Sequence, residues 1–320
     1  MTGASTRRLV AADVLPLLDL IPAPDLSRND LREVRARLEA PLPDAPPLPV
    51  APGWAAAPGR GEAPDVPLLI FDPPGRTSKA AVLDIHGGGM VMGTAAIDNR
   101  NNAALAIRHG VLIVSVDYRL APEAPFPAPQ EDCYAALAWM VANATALGID
   151  PDRIAVMGAS AGGGLAASLA LMARDRGELS LCAQLLTYPM LDHRTGSETC
   201  PYRNPFTGEF IWTRADNQIG WKALLGDYCL DDARLGWFSP ARAETLQDLP
   251  PTFIATGALD LFLDEDLSYS QRLAAAGVPV EVHVYPGGFH AFDNMPDAGI
   301  ARQYRTDLDR ALQSMLGLGA

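Results

Sequence analysis

The five small residues Gly158-Ala159-Ser160-Ala161-Gly162 place a serine between two glycines, at a spacing suited to a sharp strand-to-helix turn. The flanks agree with that reading. Arg153 to Met157 reads as a short buried strand and Gly164 to Ala173 as a helix, which makes Ser160 a candidate nucleophile. A β-carbon at Gly158 or Gly162 would collide with backbone brought close by such a turn. Upstream, the apolar run Ala80 to Ile85 leads directly into His86-Gly87-Gly88-Gly89-Met90. Three consecutive glycines expose backbone N–H groups that can face a carbonyl oxygen as it turns negative, and losing one such donor typically costs ~3 kcal/mol of transition-state stabilisation. The N–H of Ala161, at the positive end of the following helix, supplies another donor. Phosphate binding does not explain these glycines, because no Walker lysine follows Gly93-Thr94 and the triple glycine lacks the third glycine of a dinucleotide loop.

A serine hydroxyl needs a histidine to take its proton and an acid to hold that histidine in one tautomer. The strand-turn-helix around Ser160 resembles the nucleophile elbow of α/β-hydrolases, where the chain order is serine, acid, histidine. Three of the five histidines follow Ser160. His193 comes too early, ahead of the strand Thr252 to Thr256. His283 alternates within the strand pattern Val280 to Tyr285, which marks it as structural. His290 follows the turn-rich Tyr285-Pro286-Gly287-Gly288-Phe289 and is the expected base. For the acid, Asp260 lies just past the end of the strand Thr252 to Thr256 and is favoured, with Asp264 second. Asp264, Glu265 and Asp266 fall in the first turn of a helix, where acids complement the dipole.

With these motifs the chain resembles the hormone-sensitive-lipase family of α/β-hydrolase esterases, also called bacterial family IV. His86-Gly87-Gly88-Gly89 matches the family's HGGG signature, and Gly158 to Gly163 matches its serine elbow. Asp117-Tyr118-Arg119-Leu120-Ala121-Pro122-Glu123, Asp260-Leu261-Phe262-Leu263-Asp264-Glu265 and His290-Ala291-Phe292 correspond to its other typical segments, so the likeness spans residues 86 to 292. The resemblance implies Ser160, Asp260 and His290 as catalytic triad, with Gly88, Gly89 and Ala161 as oxyanion donors. Ala159, Leu261 and Ala291 stand where the family often has aspartate, proline and glycine. It further implies hydrolysis of short- to medium-chain acyl esters of small or aromatic alcohols, without metal or organic cofactor. An amidase, lactonase or acyltransferase would share the acyl-enzyme step. A non-catalytic ligand receptor of the same fold is the reading from another class, and the presence of His290 argues against it.

The rest of the chain fits this reading. At 320 residues and 48% hydrophobic, it can bury one sizeable α/β core, a mostly parallel sheet flanked by helices. A formal charge of −13, with Lys79 and Lys222 as the sole lysines, disfavours nucleic-acid binding. Four scattered cysteines, Cys133, Cys182, Cys200 and Cys229, show no C-x-x-C spacing and read as free thiols. Asp13 and Asp19 interrupt the apolar stretch after Arg7-Arg8, and no segment approaches the ~20 apolar residues of a bilayer span, so a cytoplasmic protein without membrane contact is expected. Arg119 and Glu123 are expected to brace their loop through ion pairs.

Two amphipathic helices are expected near the start, over Leu9 to Leu15 and Asp30 to Leu38, followed by an extended connector from Pro41 to Pro58. A second stretch, Leu191 to Pro240, breaks the strand rhythm and carries Trp212, Trp221 and Trp237. The family resemblance implies that residues 1–50 and 191–240 form a cap on a catalytic domain made of 51–190 and 241–320. The tryptophans are expected mainly to pack that cap. The strand Val280 to Tyr285 could form a sheet edge, a natural pairing surface for a homodimer.

Overall fold

Apolar runs of five or six residues, each bounded by turn residues, become the strands of one eight-stranded sheet. They are β1 (Gly53–Ala57), β2 (Val66–Phe71), β3 (Ala81–Ile85), β4 (Leu112–Val116), β5 (Ile154–Ala159), β6 (Ala183–Thr187), β7 (Thr252–Gly257) and β8 (Val280–Tyr285). The order across the sheet is β1-β2-β4-β3-β5-β6-β7-β8. Strands β3 to β8 run parallel, while β2 pairs antiparallel with both β1 and β4. Every residue of β3, β4, β6 and β7 is buried, as expected when helices cover both faces of a parallel sheet. The computed structural model describes residues 5–21, 23–40 and 46–319.

Alternation along each strand divides the core between two faces. Leu83, Val114, Val156 and Ile254 join one apolar cluster with the helices Ala128–Ala142 and Ala161–Arg176. Their neighbours Val82, Ile113, Ala155 and Phe253 join the other, against Asn99–His109 and Gly299–Met315. The parallel strands therefore end together on one rim of a double-sided core, which is where a doubly wound sheet places its ligands.

Two expectations for the amino-terminal region need correction. Leu9 to Leu15 is not an α-helix: a 3-10 turn over Thr6–Leu9 is followed by turns, and a four-residue helix begins only at Leu17. Pro16 accounts for this, because it lacks an N–H and disfavours helical backbone in the residue before it. The second helix, Leu31–Glu39, forms as expected, with Asp30 Oδ1 accepting the N–H of Arg32 at 2.7 Å. The stretch expected as connector, of which Pro41 to Asp44 and Ala45 lie outside the described residues, ends in strand β1. Gly53 to Ala57 contains no proline, so its N–H groups can pair with β2 at the sheet edge.

Between β6 and β7 there is no strand. That stretch holds the helix Arg214–Leu225, whose start is a reciprocal capping box between Thr213 and Asp216, and the short helix Leu235–Phe238. Among the described residues, hydrogen bonds join it to the amino-terminal segment at two places. Glu209 accepts from the Ser5 hydroxyl and from Thr6 N–H and Oγ1, and Asp216 Oδ1 accepts the N–H of Leu26 at 2.8 Å. Trp212 and Trp221 are buried there. No helix among the described residues is long and apolar enough to cross a membrane.

Candidate active site

At the end of β5 the backbone reverses at Ser160, which has φ 57° and ψ −121°, before the helix Ala161–Arg176 begins. That is left-handed territory for a residue with a side chain, and the strain is held in place by neighbours. Ser160 N–H donates to Thr187 O at 2.9 Å, and Ser160 O accepts from Gly164 and Met190 N–H. The two glycines are required sterically: a β-carbon on Gly158 would strike the backbone of Gly162, and one on Gly162 would strike the carbonyl of Ile85 at the end of β3. The elbow is thereby wedged between its own helix and the neighbouring strand.

Asp260 and His290 lie on the loops that follow the adjacent parallel strands β7 and β8. Backbone bonds stitch these loops together, from Ala258 N–H to Tyr285 O at 3.0 Å and from Leu259 N–H to Gly288 O at 2.8 Å. The result brings Ser160, His290 and Asp260 into one hydrogen-bonded line. His290 Nδ1 lies 2.9 Å from Asp260 Oδ2, and His290 Nε2 lies 2.9 Å from Ser160 Oγ. A carboxylate only accepts, so the proton belongs on Nδ1, and Nε2 is left to accept from the serine hydroxyl. Asp260 is itself fixed by the N–H of Phe262, which donates to its Oδ1 at 2.9 Å. All three side chains are buried. Asp264 is half-buried and makes no hydrogen bond to a histidine among the described residues.

The glycine run after β3 forms a loop with three positive φ angles in succession, 120° at Gly88, 61° at Gly89 and 65° at Met90. Val91 and Met92 N–H both donate to Gly88 O, at 3.1 and 3.0 Å, so the loop folds back on itself. Among the described residues, the N–H groups of Gly88, Gly89 and Ala161 have no acceptor. His86 braces the loop from below. Burial pushes its imidazole down to about 4, so it is neutral, with Nδ1 donating to Gly87 O at 2.8 Å and its ring stacked on Tyr118.

Aromatic rings enclose the line of three residues. Tyr188 packs on His290 with ring centroids 4.7 Å apart, Phe262 meets it edge-on, and Trp212 lies 6.5 Å away. The Trp212 ring also presses on Gly89, where a β-carbon would overlap it. Tyr188 OH donates to Asp293 Oδ1 at 2.7 Å, and burial holds the Asp293 carboxyl above its ordinary range. Sequence reasoning passed over Tyr188 and Phe262; their one signal is position, Tyr188 directly after β6 and Phe262 on the loop after β7, two residues past Asp260.

The remaining candidates lie elsewhere. His193 packs among Trp221 and Phe238, pushed down to about 4 by burial. His283 bonds Glu281 on the edge strand. Arg119 and Glu123 do not pair with each other: Arg119 makes a bidentate pair with buried Asp132, and Glu123 pairs with Arg35. The four cysteines are free.

Residues 82–294 match a family model described as alpha/beta hydrolase fold. An arylesterase of Saccharolobus solfataricus is 33% identical over 273 residues, covering 85% of this chain and 87% of that protein. Esterase LipI of Mycobacterium tuberculosis is 37% identical over 288 residues, covering 84% and 83%. The solved structure of a bacterial heroin esterase superposes with a TM-score of 0.87 at 34% identity, covering 98% of this chain and 99% of its own. The chain belongs to the α/β-hydrolase family that the model describes. Its relatives place it among the carboxylic ester hydrolases.

Proposed function

We propose that this carboxylic ester hydrolase is a serine carboxylesterase of the hormone-sensitive-lipase type, acting on short- to medium-chain acyl esters. The observation that carries the reading is the continuous line Ser160 Oγ, His290, Asp260, with the glycine loop packed against the serine at Gly87, where a β-carbon would lie 3.6 Å from Ser160 Cβ. Ser160 Oγ attacks the ester carbonyl while His290 Nε2 takes its proton, and Asp260 steadies the imidazolium. Gly88, Gly89 and Ala161 N–H groups receive the oxyanion. Collapse sends the proton from His290 to the departing alcohol and leaves acyl-Ser160. Water, deprotonated by the same histidine, then releases the acid.

Residues 1–50 and 191–240 serve in this reading as a cap over the catalytic domain 51–190 and 241–320. Their contacts at Glu209 and Asp216, and the Trp212 ring against Gly89, support it. A buried serine under such a ring favours small acyl groups, and the arylesterase relative supports esters of aromatic alcohols. Four unpaired cysteines suit the cytoplasm. The outer edge of β8, where Val284 is exposed, is the surface we assign to a homodimer, and a monomeric mass by light scattering would reject it.

Hydrolysis of chromogenic esters from acetyl to dodecanoyl, by wild type and Ser160→Ala, tests the reading. Wild-type activity should peak at short chains. Ser160→Ala should lose ~10⁴-fold or more in kcat while its thermal midpoint holds. A folded variant that keeps most of its turnover would remove Ser160 from the mechanism.

A further inference from the structure

Arg35 belongs to the helix Leu31–Glu39, more than fifty residues from the glycine loop in sequence. Its neighbour Val34 is buried in the core, which anchors the helix against the catalytic domain. The Arg35 guanidinium is mostly buried and makes four hydrogen bonds. Nε donates to Val91 O at 2.7 Å, Nη2 donates to Ala121 O at 2.9 Å, and Nη1 and Nη2 grip both oxygens of Glu123 at 2.7 and 2.9 Å. Bonds from a charged donor are about twice as strong as neutral ones, and this pairing holds the Glu123 carboxyl down to about 2.

What Arg35 grips leads to the reaction centre. Val91 O and Met92 N–H are the two ends of one planar peptide unit, and that Met92 N–H donates to Gly88 O at 3.0 Å. Gly88 O and Gly89 N–H are in turn the two ends of the next such unit. The path runs from the Arg35 cation through two peptide units to the Gly89 N–H, which has no acceptor among the described residues. Each unit is oriented by the bond before it and polarised in the same direction. The glycines give the loop a reason to need this. At Gly88 and Gly89 no β-carbon restricts the backbone, so rotation of the peptide between them is cheap unless its carbonyl is held. Ala121 N–H donating to Met90 O at 2.9 Å places the turn that carries Glu123 against the same loop.

We propose that Arg35 is a positioning residue for the oxyanion hole, holding the Gly88–Gly89 peptide with its N–H toward the developing anion through the Val91–Met92 peptide. The proposal rests on the reading of Gly89 N–H as an oxyanion donor. It makes the amino-terminal segment part of the catalytic apparatus, since that segment supplies the one side-chain cation on this path.

The test compares wild type, Arg35→Met, Arg35→Lys and Glu123→Gln in kcat, KM and affinity for an aryl trifluoromethyl ketone, normalised to active sites titrated with a fluorophosphonate. The ketone is a fitting probe: Ser160 Oγ bonds its carbonyl carbon, the serine proton passes to His290, and the former carbonyl oxygen becomes an anion in the hole. Arg35→Met should lose about tenfold to a hundredfold in kcat, less than removal of a whole donor. Its KM should stay within about twofold, as expected for an interaction made only in the transition state. Ketone affinity should fall in parallel. Arg35→Lys should recover part of both, because an ammonium can still donate to Val91 O. Glu123→Gln keeps the bonds to Val91 and Ala121 and should lose melting temperature with little change in kcat. Unchanged kcat per titrated site in Arg35→Met, or unchanged ketone affinity, would overturn the role of Arg35 and leave the triad reading standing. A wild type that forms no Ser160 adduct with either reagent would overturn both together.

Discussion

The serine elbow and the glycine loop lie against each other, Gly87 packing on Ala159 and Ser160, yet they are held in different ways. The elbow is fixed by backbone against backbone: β5 enters, the helix Ala161–Arg176 leaves, Thr187 and Met190 bond Ser160, and Gly162 lies against the carbonyl of Ile85 with no room for a β-carbon. The glycine loop has three positive φ angles and few side chains, and its outer contacts include the side chains of Arg35 and Trp212, residues far away in sequence. The candidate site thus combines a part held by backbone packing with a part that borrows its rigidity from distant side chains. Damage to the first should act through the backbone, and damage to the second through side chains that look unconnected with catalysis.

The largest effect should come from the line of three residues that the elbow supports. Asp260→Asn should cost ~10⁴-fold in kcat with little loss of fold, because it inverts the hydrogen bond that sets the His290 tautomer. A loss below about tenfold would mean that Asp264 or Asp293 can replace it. Next comes steric damage to the elbow. Gly162→Ala should cost ~3 kcal/mol in chemical denaturation, since the Ile85 carbonyl cannot retreat from a sheet. Gly89→Ala should cost about 1 to 2 kcal/mol for its left-handed backbone. Overlap with the Trp212 ring adds a further cost, which should be recovered when the same substitution is made in a Trp212→Ala background, because that obstacle is a ring edge and not backbone. Equal costs at the two glycines, with no recovery, would erase the distinction between the two regions.

The effect spread over the widest range of conditions is a slope in pH. His86 beneath the loop sits at about 4 when folded, against about 6.5 for an exposed histidine. Between those values the unfolded chain binds the proton and the folded chain does not, so stability falls as pH falls from about 6.5 towards 4, and no further below that. The wild type should lose up to about 1.4 kcal/mol per pH unit relative to His86→Phe over this window. Parallel stability curves for the two proteins would show that His86 is open to protonation in the fold.

Much of this was legible because it is local. The alternation of strand and helix around Ser160, the apolar runs of β3, β5 and β7, and the turn-rich approach to His290 are short patterns whose physics closes within ten residues. The choice of Asp260 over Asp264 rested on its place past a strand end, and the bonds between the β7 and β8 loops explain why that place matters. Where local pattern failed, a local exception was responsible. Pro16 stops the helix expected over Leu9 to Leu15, and proline-free Gly53 to Ala57 forms an edge strand inside a proline-rich stretch.

The sequence by itself determined the sheet class, the serine turn and the short list of candidate partners for Ser160, because the period of buried side chains and the crowding of Gly158 against Gly162 act between near neighbours. The tertiary structure alone decided that Arg119 pairs with Asp132 and Glu123 with Arg35, that Tyr188 and Phe262 enclose His290, and that Trp212 covers Gly89. Those contacts join elements tens to hundreds of residues apart. Their energy depends on distance and direction in space, which the spacing of residues along a chain does not encode.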